Sequence, residues 1–209
     1  MKRRDKFITG KYYWIYNSGL NKQPIFNTDS DYHRFMILLY LVNSKNKSFR
    51  LDDLINKQKK STEEIFTIDK GDKLVSIGAW CVMPNYFNLF IKQETDGGIS
   101  KFMKKLCTGY SMYFNIKEKR KGPLFDGLFK SKMLDEKNAE EMKKLFAYIH
   151  LNLLDMKFSD WENEIKKSSN EMVKFIESYP YSSYLDYDDK NRPEKKIISP
   201  ENFPNYLNN

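Results

Sequence analysis

Between Leu74 and Met83 ten residues run almost without a polar side chain, Pro84-Asn85 interrupts them, and Tyr86-Phe-Asn-Leu-Phe-Ile91 resumes the apolar pattern. A short run of this kind, bounded by a turn signal and holding valine, isoleucine and aromatic residues, reads as a strand. Its near-continuous hydrophobicity is that of a strand covered on both faces at the centre of a sheet. The second run alternates instead, with Phe87, Leu89 and Ile91 on one face and Tyr86, Asn88 and Phe90 on the other. Two such strands about a tight turn predict a central hairpin, and the rest of the chain must supply the helices that cover it.

Those helices are legible in the periodicity. Phe35, Leu38, Leu39 and Val42 recur at helical spacing after Asp29 or Ser30 as cap. Phe102, Met103, Leu106, Tyr110, Tyr113 and Phe114 mark an amphipathic helix from Ile99 to about Asn115, with Ser100 as its cap. Met142, Leu145, Phe146, Ile149 and Leu153 mark a third over Asn138–Asn152, on which Tyr148 and Asn152, four apart, project side by side. Gly10–Tyr16 and Gly127–Leu134 read as further strands, Arg50–Thr67 as a charged insertion, and Glu171–Ser178 as a helix before the aromatic segment Tyr179–Tyr187. The order predicts an α+β fold: a ferredoxin-like (split βαβ), mainly antiparallel sheet with helices packed on it.

The 209 residues suit one domain with a tail, and an aromatic content of 15% suffices for a core without disulfide staples. The two cysteines, Cys81 and Cys107, lie in apolar surroundings and read as reduced thiols. No apolar run approaches the roughly 20 residues of a membrane span, and Met1–Lys6 leads into no signal-peptide core. These features predict a soluble cytoplasmic protein. The net charge of +8 favours nucleic acid as partner. It is concentrated: Ile99–Lys132 holds nine basic residues (Lys101, Lys104, Lys105, Lys117, Lys119, Arg120, Lys121, Lys130 and Lys132) against Glu118 and Asp126. With Tyr110, Tyr113 and Phe125 interleaved as stacking surface, this stretch is the expected DNA-binding side. The alternative reading is a solvated helix face with its aromatics in the core.

Six segments, Tyr12–Phe26, Ala79–Asn85, Ile99–Met103, Gly122–Lys132, Tyr148–Asn152 and Tyr179–Tyr184, resemble, in order, those of one family, the single-tyrosine HUH transposases, and within it the REP-associated tyrosine transposases of bacteria. The resemblance covers roughly residues 7–187. The chain is accordingly divided into a transposase-like domain (residues 1–160) and a helical and aromatic extension (161–187), followed by a tail (188–209) that its charges and Pro193, Pro200 and Pro204 mark as loosely packed. The resemblance implies a bacterial, nucleoid-associated protein that binds single-stranded or hairpin DNA, often as a homodimer. The implied chemistry is strand cleavage by a tyrosine that becomes joined to a 5′-phosphate, assisted by Mg or Mn held on a His-hydrophobic-His pair.

Tyr148 stands at the nucleophile position, and Asn152 at that of the helix-borne polar partner. The His-hydrophobic-His position is occupied by Tyr86-Phe87-Asn88, within an intact frame, so both histidines of the motif are missing. The family's usual arginine is also replaced at Leu128 in Gly127-Leu128-Phe129. The chain holds two histidines in all, His33 and His150. A phenol and a carboxamide are weak substitutes for two imidazoles, since only the amide oxygen is a fair ligand for a hard cation. Tyr148 reads either as a surviving nucleophile or as a helix tyrosine packed on the sheet, Asn152 as a helix-terminal amide, and Tyr86 as volume that replaces imidazole and ion. The sequence therefore predicts a DNA-binding protein whose nicking and joining are lost or impaired. The alternatives are an active transposase with an altered metal site and an RNA-binding or regulatory module.

Overall fold

The computed structural model describes residues 6–164, 170–187 and 191–204. In chain order come β1 (Tyr12–Ser18), α1 (Asp29–Leu41), the one-turn α2 (Thr62–Ile65), β2 (Val75–Met83), β3 (Tyr86–Gln93), α3 (Gly98–Lys117), β4 (Lys130–Leu134) and α4 (Ala139–Leu151). The short helices α5 (Trp161–Glu164), α6 (Asn170–Ser178) and α7 (Tyr184–Tyr187) follow. Sheet order is β2-β3-β1-β4, with every neighbouring pair antiparallel. Strand β3 thus lies between β1 and β2, and β1 between β3 and β4, the double split βαβ of a ferredoxin-like sheet.

Alternation along the strands sorts the core into two layers. Tyr13, Ile15, Phe87, Leu89 and Ile91 face α1 and α3, whereas Tyr12, Phe90 and Leu134 face α4 and the C-terminal segments. The β2–β3 hairpin forms about Pro84-Asn85, but β2 lies at a sheet edge, not at its centre. All nine of its residues are nevertheless buried. The reason is that the chain after α6 covers the edge. Val82 N–H donates to Tyr181 O (2.9 Å), Ser183 N–H to Trp80 O (2.9 Å) and Ser199 N–H to Ile77 O (2.8 Å). A bulge at Gly78, which has no partner between the pairs Ile77–Ile91 and Ala79–Phe90, switches the alternation. Val75, Ile77, Trp80 and Val82 pack on the α1/α3 side, while Ala79, Cys81 and Met83 pack on the other.

Helix boundaries depart from the sequence reading where side chains reach back. The cap of α1 is Thr28, in extended conformation, rather than Asp29 or Ser30. Asp31 turns back and accepts from the N–H groups of Asn27 (3.0 Å) and Thr28 (2.9 Å). Ser100 does not cap α3, which begins two residues earlier at Gly98, after Gly97 in the left-handed region (φ 66°). The buried Gln93 carboxamide accepts from Ile99 N–H at 3.1 Å and so serves that terminus from the end of β3. Asn138 caps α4 through Glu141 N–H (3.1 Å).

The tail expected to be loose is packed over residues 191–204, because its apolar side chains have a surface to cover. Ile197, Ile198 and Phe203 are buried. The Phe203 ring lies 5.5 Å from that of Tyr12 and 4.9 Å from that of Phe90. The rest of that segment, residues 188–190 and 205–209, lies outside the described residues. No helix among the described residues is long and apolar enough to cross a membrane.

Candidate functional site

The site is assembled by strand register. Antiparallel pairing sets Tyr16 opposite Asn88 and Ser18 opposite Tyr86, so these side chains, with Trp14, leave the sheet on the face that α4 crosses. Trp14 Nε1–H donates to Asn88 Oδ1 at 2.9 Å. The Trp14 ring lies 4.5 Å from that of Tyr16 and meets Tyr148 edge-on at 5.6 Å. At the end of α4, Asn152 donates from Nδ2 to the Tyr86 hydroxyl at 3.2 Å, and its Oδ1 is buried without a hydrogen-bond partner. The four residues singled out by sequence, Tyr86, Asn88, Tyr148 and Asn152, therefore meet in one place. Beside them a hollow of about 350 Å³ is lined by Trp14, Tyr16, Asn88, Tyr148 and, at its rim, Lys22 and Lys130.

Neither tyrosine is electronically activated. Burial raises the Tyr148 phenol above its ordinary value of 10.0, and neighbouring Asn152 offsets only part of that shift. Burial raises the Tyr86 phenol further. The donor set does not fit a divalent ion of the kind the family resemblance implies. The Asn88 carbonyl is already engaged by Trp14, the Tyr86 hydroxyl is neutral, and Asn152 Oδ1 alone is a free hard ligand. Among the described residues no group of three His, Cys, Asp or Glu side chains is placed to hold a metal. Neither histidine can substitute. His150 points to the far side of α4, with Nε2 2.8 Å from Ser183 Oγ. His33, on α1, lies edge-on to Tyr181.

The basic stretch is not gathered on one surface. Lys130 and Lys132 pair with Tyr16 and Trp14 across β4–β1 and so share the face of the site. Lys101, Lys104, Lys105 and Lys117 instead line a groove of about 920 Å³ between α3, α1 and residues 47–53, in the opposite layer. Three of these four ammonium groups have protein partners: Lys101 donates to Lys45 O (2.8 Å), Lys105 to Ser44 O (2.8 Å), and Lys117 to the fully buried Asp31 carboxylate (2.7 Å). Lys119, Arg120 and Lys121 lie in the loop after α3, where Arg120 Nη2 donates to Pro123 O at 3.0 Å. Of the aromatics expected to stack on bases, Tyr110 and Phe125 are buried in the core. Tyr113 is half-buried and donates to Asp31 Oδ1 at 2.9 Å. The aromatic rings that do line the hollow include Trp14 and Tyr16, which the sequence reading treated only as strand formers. The alternation of Tyr12, Trp14 and Tyr16, matched to that of Tyr86, Asn88 and Phe90, is the signal that places them together.

No protein-family model matches the sequence, and no curated protein is similar to it. Among solved structures, a REP-associated tyrosine transposase bound to a REP hairpin is similar at a TM-score of 0.51 and 13% identity, over 88% of this chain and 83% of that one. The fold is transposase-like. Lower similarity, each at a TM-score of 0.35, is found with a candidate transposase from Deinococcus radiodurans R1 and with tRNA(His) guanylyltransferase from Saccharomyces cerevisiae. The first is 12% identical over 70% of this chain and 96% of the other. The second is 13% identical over 100% and 84%.

Proposed function

We propose that this chain is a transposase-like protein that binds single-stranded or hairpin DNA, and that its tyrosine-based nicking and joining is lost or strongly reduced. The reading rests on the site itself. Tyr148 occupies the nucleophile position on α4, yet the two neighbours that in the resembling family would be imidazoles are Tyr86 and Asn88. A phenol with an ordinary pKa near 10 is a poor nucleophile at neutral pH, and burial raises that of Tyr148 further. With the Asn88 carbonyl held by Trp14, little remains to neutralise charge on a scissile phosphate. Binding depends on different groups, among them the lysines on β4, which share the face of the site. The likeness in fold to a transposase whose structure contains a REP hairpin supports DNA as the partner.

A gel shift with hairpin DNA, run beside a nicking assay in Mg or Mn, tests this reading. The expected result is a shift without nicking. Tyr86→His together with Asn88→His should raise metal-dependent nicking by about a hundredfold or more, since metal stabilisation of transition-state charge is worth several kcal/mol. Robust cleavage by the unmodified chain that disappears in Tyr148→Phe would overturn the proposal. In that case trapping a labelled 5′-phosphate on Tyr148 identifies an active enzyme with an altered ion site, for which Asn152 Oδ1 is the unpartnered ligand.

A further inference from the structure

We infer that the hollow beside Tyr148 binds one unpaired nucleobase, so that a place suited by position to an ion is used here for base recognition; the inference rests on the DNA-binding reading above. Its walls are aromatic. Tyr16 lies tilted against Trp14 (4.5 Å, 31°), and Tyr148 meets Trp14 edge-on (5.6 Å, 74°). Base–aromatic stacking is the usual means by which a protein holds a single-stranded nucleotide. All three rings are half-buried, so each leaves part of its surface to the hollow.

The polar groups are arranged for a base rather than a cation. Asn88 is only 2% exposed, and its Oδ1 is taken by Trp14 Nε1–H. That bond fixes the flip of the carboxamide and leaves Nδ2, on a residue that lines the hollow, with no protein acceptor among the described residues. A fixed N–H₂ donor repels a metal ion and suits a carbonyl acceptor such as O2 or O4 of a pyrimidine. Lys130, directly opposite Tyr16 in the β4–β1 register, and Lys22 stand at the rim, where a backbone phosphate would lie. The volume of about 350 Å³ is near the lower end for ligand pockets. It suits one flipped-out nucleotide and excludes a stacked base pair.

The test compares one DNA hairpin carrying a single-stranded oligothymidine flank with the same hairpin carrying an abasic flank of equal length, by fluorescence anisotropy. The thymine flank should bind about tenfold or more tightly. Tyr16→Leu, which keeps apolar volume and removes the π-face, and Asn88→Leu, which removes the donor, should each reduce that preference to less than about threefold while the abasic hairpin still binds. Thermal unfolding checks that both variants are folded. The ligand-side comparison needs no variant at all. Equal affinity for the two hairpins would overturn the base pocket and leave the DNA-binding reading standing. So would a thymine preference that survives in both folded variants, since the preference would then arise elsewhere. Failure of both hairpins to bind would remove the DNA-binding reading, and the pocket with it.

Discussion

His150 shows how one side chain can be legible in kind and hidden in role. Its place one residue past Ile149, with no histidine on the neighbouring strand, reads as a histidine without a partner, and the structure encloses it between Phe146 and Tyr187, with Ser183 as its polar contact. Burial lowers its pKa from 6.5 to about 3. The folded protein thus keeps a neutral imidazole where the unfolded chain would take up a proton. The associated stability is fully present above about pH 6.5 and is lost as pH falls toward 3, by up to about 1.4 kcal/mol per unit. Urea denaturation at a series of pH values should show this slope, and His150→Gln, which can still meet Ser183, should flatten it between about pH 6.5 and 4. The residues of the site divide similarly. Tyr86, Asn88, Tyr148 and Asn152 could be named from sequence because the short segments that hold them resemble the motifs of the tyrosine transposases. Trp14 and Tyr16 could not, because their role depends on pairing with a strand some seventy residues away. Likewise, the lysines of Ile99–Lys132 were countable in sequence, but only the fold separates them, with α3 packed on one face of the sheet and Lys130 and Lys132 of β4 projecting from the other.

At the scale of elements, the hairpin reads directly from the sequence and its place in the sheet does not. Nine consecutive buried residues in β2 imitate a central strand because two effects coincide: the bulge at Gly78 changes which face each residue serves, and the C-terminal chain closes the outer edge. Neither leaves a periodic trace. Gly78 is the test of this arrangement. A Cβ built there would lie 2.6 Å from the Phe203 ring, and Gly78 O also accepts from the Tyr187 hydroxyl. Gly78→Ala should therefore cost about 1–3 kcal/mol by displacing Phe203. Phe203→Ala alone should cost about 3–5 kcal/mol from lost burial. In the Phe203→Ala background the three nearest atoms are gone, so the cost of Gly78→Ala should fall below about 0.5 kcal/mol. Chemical denaturation of the four proteins in this cycle gives the coupling directly, and additive costs would show that the ring does not determine why glycine is needed.

For the molecule as a whole, the sheet has two edges that are protected differently. Strand β4 pairs only with β1 and displays Lys130 and Lys132, and charge on an edge opposes the addition of another strand. Strand β2 carries no charged residue, and along its length the chain after α6 supplies the missing hydrogen bonds. The last described segment also seats Phe203 on Tyr12 and Phe90. Arg192 lies 2.7 Å from the buried Asp186 carboxylate and 5.6 Å over the ring of Trp80, and so clamps that segment to α7 and β2. The tail is therefore part of the sheet's closure rather than an appendage. Removing residues 188–209 should uncover Ile77 O together with the Tyr12 and Phe90 rings, and leave Asp186 buried without its cation. Two consequences are expected together. The midpoint of thermal unfolding should fall by about 10 °C or more, since a Phe203-sized burial alone is worth about 3 kcal/mol. Light scattering after size exclusion should also show more concentration-dependent association than in the full chain, because the part of the β2 edge about Ile77 has become available for pairing, while Tyr181 and Ser183 still cover the rest. A single substitution separates the two causes. Phe203→Ala removes the ring but keeps Ser199 on Ile77, so it should lower the unfolding midpoint without promoting association. If it promotes association as strongly as the truncation does, the exposed ring face, and not the open strand edge, drives it.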